Sequence, residues 1–243
     1  MLRSVSCSVA LGLGVLACRE APTGGETTNV LAPVSCPTPK SSDAVLVDAT
    51  HDGGVWWFPQ VAPFDTAQSH QGQELANTLR GKGYQVDELW RGEMVSRDQL
   101  LDYQIVIRAG AFGGYTRSEL DAYEDFLQCP RTLILLSEYL RTGEHDGLAH
   151  RLGIVLSGSA TGSMTTFATD SITAGVGSVT YLAGSVVDVE QSQSVRVLGW
   201  LEDGQPVMGI QEGRRAKLFF MGDTNSLEFI PQPLIDNLVA WGF

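Results

Sequence analysis

Basic residues are scarce in this chain. Sixteen Lys and Arg stand against 28 Asp and Glu, for a net charge of −12 over 243 residues. No run of five basic residues occurs. Nucleic acid and anionic lipid surfaces favour such patches, so both are poor partners and no nucleic acid is expected. The plain reading of the excess acid is solubility. Long apolar runs are also missing. No stretch approaches the ~20 apolar residues that span a bilayer. Cysteine is limited to Cys7, Cys18, Cys36 and Cys129. The four His and the carboxylates match no metal-ligand spacing. No metal and no cofactor is therefore implied. No internal repeat is present.

What is there begins at the N-terminus. Arg3, the apolar residues from Val9 to Leu16, and Ala17 have the layout of an export signal. Val15-Leu16-Ala17-Cys18 is how a bacterial lipoprotein signal ends. Residues 1–17 are expected to be removed, leaving Cys18 as the lipidated N-terminus. A plain secretory signal is the alternative. Residues 18–42, rich in Pro, Thr, Gly and Ser, are expected to form a flexible tether. Residues 43–243 are expected to form one domain. The implied location is the bacterial cell envelope, lipid-anchored on its periplasmic or cell-surface face, or else the exterior. Disulfides persist in those compartments. Cys36 lies upstream of the first strand and Cys129 just before the fourth. Both belong at the edge where parallel strands begin, so a Cys36–Cys129 disulfide is expected.

The domain opens with alternating strands and helices. Ala44-Val-Leu-Val-Asp48 is a continuous apolar strand of the kind buried on both faces. A helix is predicted over 69–82, ended by Gly83, and strands over 84–89 and 104–108. Ser96 with Gln99, and Thr116 with Glu119, are capping boxes. Leu120, Tyr123 and Leu127 form the apolar stripe of the second helix. Thr132-Leu-Ile-Leu-Leu136 is the most apolar strand, and a short helix is predicted over 146–152. This alternation implies a parallel sheet covered on both faces. Further on, 157–166 reads as a polar loop. Strands are predicted over 179–182, 185–189, 195–201, 206–211 and 216–220, and a closing helix over 233–241.

Several segments together resemble the class I glutamine amidotransferase-like superfamily. They are the strand ending in Asp48, Leu-Asp-Tyr-Gln-Ile-Val-Ile (101–107), the helix after Thr116 and the strand from Thr132. Leu-Ala-His-Arg-Leu-Gly-Ile (148–154), Asp-Ser-Ile-Thr-Ala-Gly-Val (170–176), Ala-Lys-Leu-Phe-Phe-Met-Gly-Asp (216–223) and Asn237-Leu-Val-Ala-Trp241 complete the pattern. The trehalose-utilisation family and the auxiliary domains of gliding-motility ABC transporters are the nearest branches. The resemblance implies an α/β, three-layer flavodoxin-like parallel sheet, here with additional strands in the C-terminal half. Catalytic members carry a Cys nucleophile directly after the fourth strand. Here that position reads Ser137-Glu138, so glutamine hydrolysis is not expected.

In open parallel sheets, ligands bind beyond the carboxyl ends of the strands. Asp48, His51 and Asp52 follow the first strand. Ser137 and Glu138 follow the fourth, with His145 beyond, and Asp223 follows the strand at 216–220. Two imidazoles and several carboxylates can hold a metal or run acid–base chemistry, but the spacings match no metal motif and loop carboxylates also cap helices. His51, Glu138 and Asp223 are the catalytic candidates. Ser137 as a nucleophile lacks the Gly-x-Ser-x-Gly elbow. Asp48, His51, Asp52, Trp56, Trp57, Glu138 and His145 are the ligand-binding candidates. Val55-Trp56-Trp57-Phe58-Pro59-Gln60, with Phe64, is either a loop packed on its own domain or an exposed stacking surface.

Three functional expectations follow. The first is an exported, lipid-anchored binding or scaffolding domain. It would hold a small molecule, glycan or envelope protein at the carboxyl edge and be anchored to the membrane by its lipid. The second is an envelope hydrolase or carbohydrate-processing enzyme using the His, Glu and Asp of that edge. The third is an auxiliary partner of an envelope transporter.

Overall fold

The computed structural model describes residues 35–57, 65, 67–110, 114–228 and 231–242. The signal segment 1–17, Cys18, most of the tether and residues 58–64 lie outside the described residues.

Nine strands and six helices form among the described residues, and the strands share one sheet of order β2-β1-β3-β4-β9-β8-β7-β5-β6. The parallel half comprises β2 (Gln85–Leu89), β1 (Ala44–Asp48), β3 (Ile105–Arg108), β4 (Thr132–Leu136) and β9 (Lys217–Met221). The antiparallel half adds β8 (Pro206–Gln211), β7 (Val195–Leu201), β5 (Leu156–Phe167) and β6 (Val179–Val187). The result is a mixed α/β sheet.

Every residue of β1, β3 and β4 is buried, which explains their unbroken apolar sequences. The period of two sorts their side chains between two clusters. Val45, Val47, Ile105, Ile107, Ile134 and Leu136 join one face. Ala44, Leu46, Val106, Leu133 and Leu135 join the other. Helices α1 (Gln73–Gly81) and α6 (Gln232–Gly242) cover the first face through Leu75, Leu79, Leu234, Ile235 and Leu238. Helices α2 (Arg97–Leu101), α3 (Arg117–Leu127) and α4 (Gly147–Arg151) cover the second. A short α5 (Asn225–Glu228) follows β9.

Local signals decide the helix ends. Ser96 with Gln99 and Thr116 with Glu119 both close reciprocal capping boxes, and Asp146 caps α4 by accepting from the Ala149 N–H. Helix α1 starts later than the pattern predicts, because the chain before Gln73 is held by the β1 loop. The N–H groups of Gln71 and Gly72 both donate to the Trp56 carbonyl.

Three expectations need correction. Residues 157–166 are not a loop but the body of β5. The apolar signal is diluted because only Leu156, Ala160 and Met164 turn inward while small polar residues face out. The two short strands expected over 179–189 are a single β6, bent at a bulge where Ala183 has φ 58°. The end of the tether is docked on the domain, since the Lys40 N–H donates to the Asp102 carbonyl and Arg131 donates to the Pro37 carbonyl. The Cys36–Cys129 disulfide is present, with Cα atoms 5.5 Å apart, and fastens this segment to the chain just before β4.

Candidate functional site

Strands β1, β3, β4 and β9 run parallel, so the loops after Asp48, Arg108, Leu136 and Met221 meet at one edge of the sheet. Asp52 shapes the first of these loops. Its Oδ1 accepts from the N–H groups of Gly54, Val55 and Trp56 at 3.0, 2.6 and 2.9 Å. Its Oδ2 accepts from Trp57 N–H at 2.9 Å and from Arg91 at 2.8 Å. The carboxylate replaces the partners that a tight loop would otherwise lack.

The loop is also pinned by its indoles. Trp56 is fully buried and Trp57 nearly so. The Trp56 Nε1–H donates to Glu88 at 3.0 Å. His70 lies against both rings, with centroids at 5.7 and 4.4 Å, and its Nε2 is 3.1 Å from the same carboxylate. Burial alone would raise the Glu88 carboxyl, but bonds from His70 and Arg80 outweigh it and hold it below the usual range. Gly72 is required here, because a Cβ would fall 2.2 Å from the Trp56 ring.

Glu138 and Asp223 meet on the other side of the edge. A Cβ placed on Gly110, after β3, would meet Thr224 Oγ1 at 3.0 Å, Glu138 Cγ at 3.3 Å and Val55 Cβ at 3.4 Å. Four loops therefore converge at one point. Thr224 ties two of them together, donating from its N–H and its hydroxyl to the Ser137 carbonyl and from its N–H to Glu138 Oε1 at 3.3 Å. Asp223 is fully buried. It accepts from Leu182 N–H at 2.6 Å, Ser226 Oγ at 2.7 Å and Asn225 N–H at 2.9 Å. Burial pushes its carboxyl up to about 6, although these donors pull the other way.

Above this floor lies a cleft of about 250 Å³. The β1 loop contributes Gly53, Gly54 and Val55, and Gln71 stands beside them. With its amide nitrogen turned inward, Gln71 donates to the Gly54 and Val55 carbonyls at 2.7 and 2.6 Å. Glu138 and Tyr139 come from the β4 loop, Leu182 and Ala183 from the β6 bulge, and Asn225 from α5. Tyr139 and Leu182 are more than a third exposed and form the rim.

The structure thus divides the predicted residues. Glu138 lines the cleft and Asp223 supports it. Asp48 is buried, accepting from Thr50 N–H and Oγ1 on one oxygen and from the Tyr115 and Tyr123 hydroxyls at 3.0 and 2.5 Å on the other. His51 bonds Glu119, the capping residue of α3, at 2.9 Å. Asp52, Trp56 and Trp57 build the loop that forms one wall. The exposed stacking surface considered for the two indoles is therefore replaced by a packed loop. His145 is exposed and stacks on His150, with centroids at 5.3 Å. It is not among the residues lining the cleft. Ser137 is buried, and its hydroxyl donates to Asp146 Oδ2 at 2.7 Å. The same carboxylate pairs with the fully buried Arg108. Among the described residues, no group of three or more His, Cys, Asp and Glu is placed to hold a metal ion. Gln71, Tyr139, Leu182, Ala183 and Asn225 are the cleft residues that the sequence did not single out. They come from separate stretches of the chain, and only adjacency to Glu138 and Asp223 hints at Tyr139 and Asn225.

No protein-family model matches the chain, and no curated protein matches it. Solved structures do. The mmIFT52 N-terminal domain is 12% identical with a TM-score of 0.61, covering 82% of this chain and 96% of that one. A ThuA-like protein from Bacteroides uniformis is 17% identical with a TM-score of 0.55, covering 84% and 91%. A beta-galactosidase from Bacillus circulans sp. alkalophilus is 14% identical with a TM-score of 0.56, and the match spans 84% of this chain but 31% of the galactosidase. The likeness to all three is one of fold.

Proposed function

We propose that this protein is a non-catalytic binding domain of the glutamine amidotransferase-like superfamily, with a three-layer flavodoxin-like sheet and a ligand site in the carboxyl-edge cleft. The strand order β2-β1-β3-β4-β9 of the parallel half and helices on both faces support the fold assignment. The shared fold with a ThuA-like protein supports the superfamily.

The observation that carries the binding reading is the fate of Ser137. Ser137, which with Glu138 occupies the position of the superfamily's nucleophile, is buried, and its hydroxyl donates to Asp146. The same carboxylate is ion-paired with the buried Arg108 and caps α4, so it is committed to the fold. The acid–base alternative needs His51, which is engaged with Glu119 on α3. What remains is a rigid floor beneath an open cleft, which suits binding. The reading is tested by assaying the full chain and Glu138→Gln with fluorogenic glycosides, esters and γ-glutamyl amides. No turnover above buffer is expected from either protein. Turnover lost in Glu138→Gln would replace the binding reading with an enzyme.

The proposed setting is the bacterial envelope, with the domain held by a lipid on Cys18. The intradomain disulfide supports export, since such bonds persist outside the cytoplasm. Expression of the full chain in a bacterium should place it in the membrane fraction, and Cys18→Ala should release it. Membrane association unchanged by Cys18→Ala would remove the anchor from the account.

A further inference from the structure

A second pocket lies at the opposite edge of the sheet, where the parallel strands begin. Its volume is about 200 Å³, and Gln104, Arg131, Thr132, Arg215, Lys217 and Gly242 are among the residues that line it. Thr132 and Lys217 are register partners at the first positions of β4 and β9. Three of the lining residues are basic and none is acidic. That is a local reversal of charge in a chain that carries −12.

Arg131 is only 5% exposed. Its Nη2 donates to the Pro37 carbonyl, and its Nη1 reaches Gln104 Oε1 at 3.4 Å. Both acceptors are neutral. Its Nε has no hydrogen-bond partner among the described residues. Arg108, the other arginine buried to this degree, is paired with Asp146. For Arg131, burial lowers the guanidinium from its ordinary value with no carboxylate to offset it. The docked segment 36–42, Cys-Pro-Thr-Pro-Lys-Ser-Ser, brings no acid to it. A buried charge without a counter-ion is costly, and an anion entering the pocket would relieve that cost. Lys217 and Arg215 add charge at the mouth. Lys217 is exposed and donates to the Trp241 carbonyl at the end of α6, which leaves its charge in place. Arg215 is exposed and makes no ion pair among the described residues.

We propose that this pocket binds a small oxyanion of the phosphate class, with Arg215 and Lys217 as its outer ligands and Arg131 as the buried counter-charge. Three cations favour a multiply charged anion over chloride or a single carboxylate, and guanidinium forks match its oxygens. The inference does not depend on the carboxyl-edge cleft.

The test titrates inorganic phosphate into the isotope-labelled full chain at constant ionic strength, with chloride as the balancing anion. Saturating amide shifts are expected at residues 104, 131–132, 215, 217 and 242, and none at 53–55, 138–139 and 182–183. Acetate should bind several-fold more weakly. Arg215→Gln, a change at an exposed position, should weaken phosphate about three- to tenfold. Adding Lys217→Gln should abolish saturation. Thermal unfolding gives a second readout, because a ligand held only by the folded state raises its midpoint. Phosphate should raise the midpoint of the unaltered protein more than that of the double variant. Its general stabilising effect is common to both, so the difference isolates the pocket. Preferential sedimentation with phosphatidylglycerol vesicles over phosphatidylcholine vesicles, competed by free phosphate, would assign the bound group to a lipid headgroup. Saturation by phosphate without such sedimentation would assign it to a soluble phosphate.

Acetate binding as tightly as phosphate, shifts scattered over other basic residues, or an affinity unchanged in the double variant would overturn the proposal. So would the lack of any saturation by phosphate. None of these results bears on the cleft, whose amides are read separately in the same spectra.

Discussion

Asp146 and Asp223 show how much of this edge depends on single carboxylates. Asp146 neutralises the fully buried Arg108, accepts from Ser137 and caps α4. The pair runs through Nη2, and among the described residues Nε and Nη1 of Arg108 have no hydrogen-bond partner. Removing the carboxylate leaves a buried charge uncompensated, so Asp146→Ala should cost about 3–5 kcal/mol in denaturant unfolding. A loss under about 1 kcal/mol would show that the pair is not buried as described.

Asp223 sets a pH dependence of known sign. Folded Asp223 holds its proton to about 6, against 3.8 for the ordinary side chain. The folded state therefore binds the proton more tightly, and stability from this residue falls as the pH rises from 4 to 6, by up to about 3 kcal/mol. Glu88 and Glu119 work in the opposite sense. In both, burial raises the carboxyl but hydrogen bonds, first of all from a His, outweigh it and lower it. Their contribution is present above the ordinary carboxylate range and is lost as the pH falls below it. Asp223→Asn should flatten the decline between pH 4 and 6 in thermal unfolding, and an unchanged slope would contradict the assignment.

At the scale of elements, legibility follows how local the signal is. The α3 capping box, Thr116 with Glu119, lies within one turn, and β4 is a run of four apolar residues after Thr132, so both can be read directly. Strand β5 could not be read this way, because only Leu156, Ala160 and Met164 mark its buried face. The β6 bulge was equally hidden, since nothing in Leu182-Ala183-Gly184 announces that Asp223, 41 residues later, will hold the Leu182 N–H. The bulge is tightly packed. A Cβ on Gly184 would fall 2.4 Å from Asp223 Cβ and 2.6 Å from the Gly222 carbonyl oxygen. Gly184→Ala should therefore cost about 1–3 kcal/mol and displace the Leu182–Ala183 wall. Full stability in thermal melts would show that the bulge is looser than this.

Across the whole molecule, the parallel half supplies the edge where loops converge, and the antiparallel extension supplies the far wall of the cleft through β6. The sequence indicated the convergence of Glu138 and Asp223, because both follow parallel strands. It left both packings open for Trp56 and Trp57, and it did not indicate that Asp48, His51 and Asp52 would turn inward as supports. A short polar or aromatic side chain after a strand reads the same whether it points to a ligand or to its own backbone. At the opposite edge, the disulfide closes a separation of 93 residues. Replacing Cys36 and Cys129 with Ser should cost about 2–5 kcal/mol by the loop-closure model, measured against the oxidised protein by denaturant unfolding. An unchanged midpoint would mean that the docked segment at 36–42 adds nothing to the fold.

The central claim is that the carboxyl-edge cleft, rather than any catalytic constellation, is the working site. It is tested most directly by mapping a neutral fragment library onto the amide spectrum of the full chain. The account predicts that bound fragments shift one contiguous set, residues 53–55, 71, 138–139, 182–183 and 225, and are released unchanged. Fragments that gather elsewhere, or that are converted to products while bound there, would contradict it.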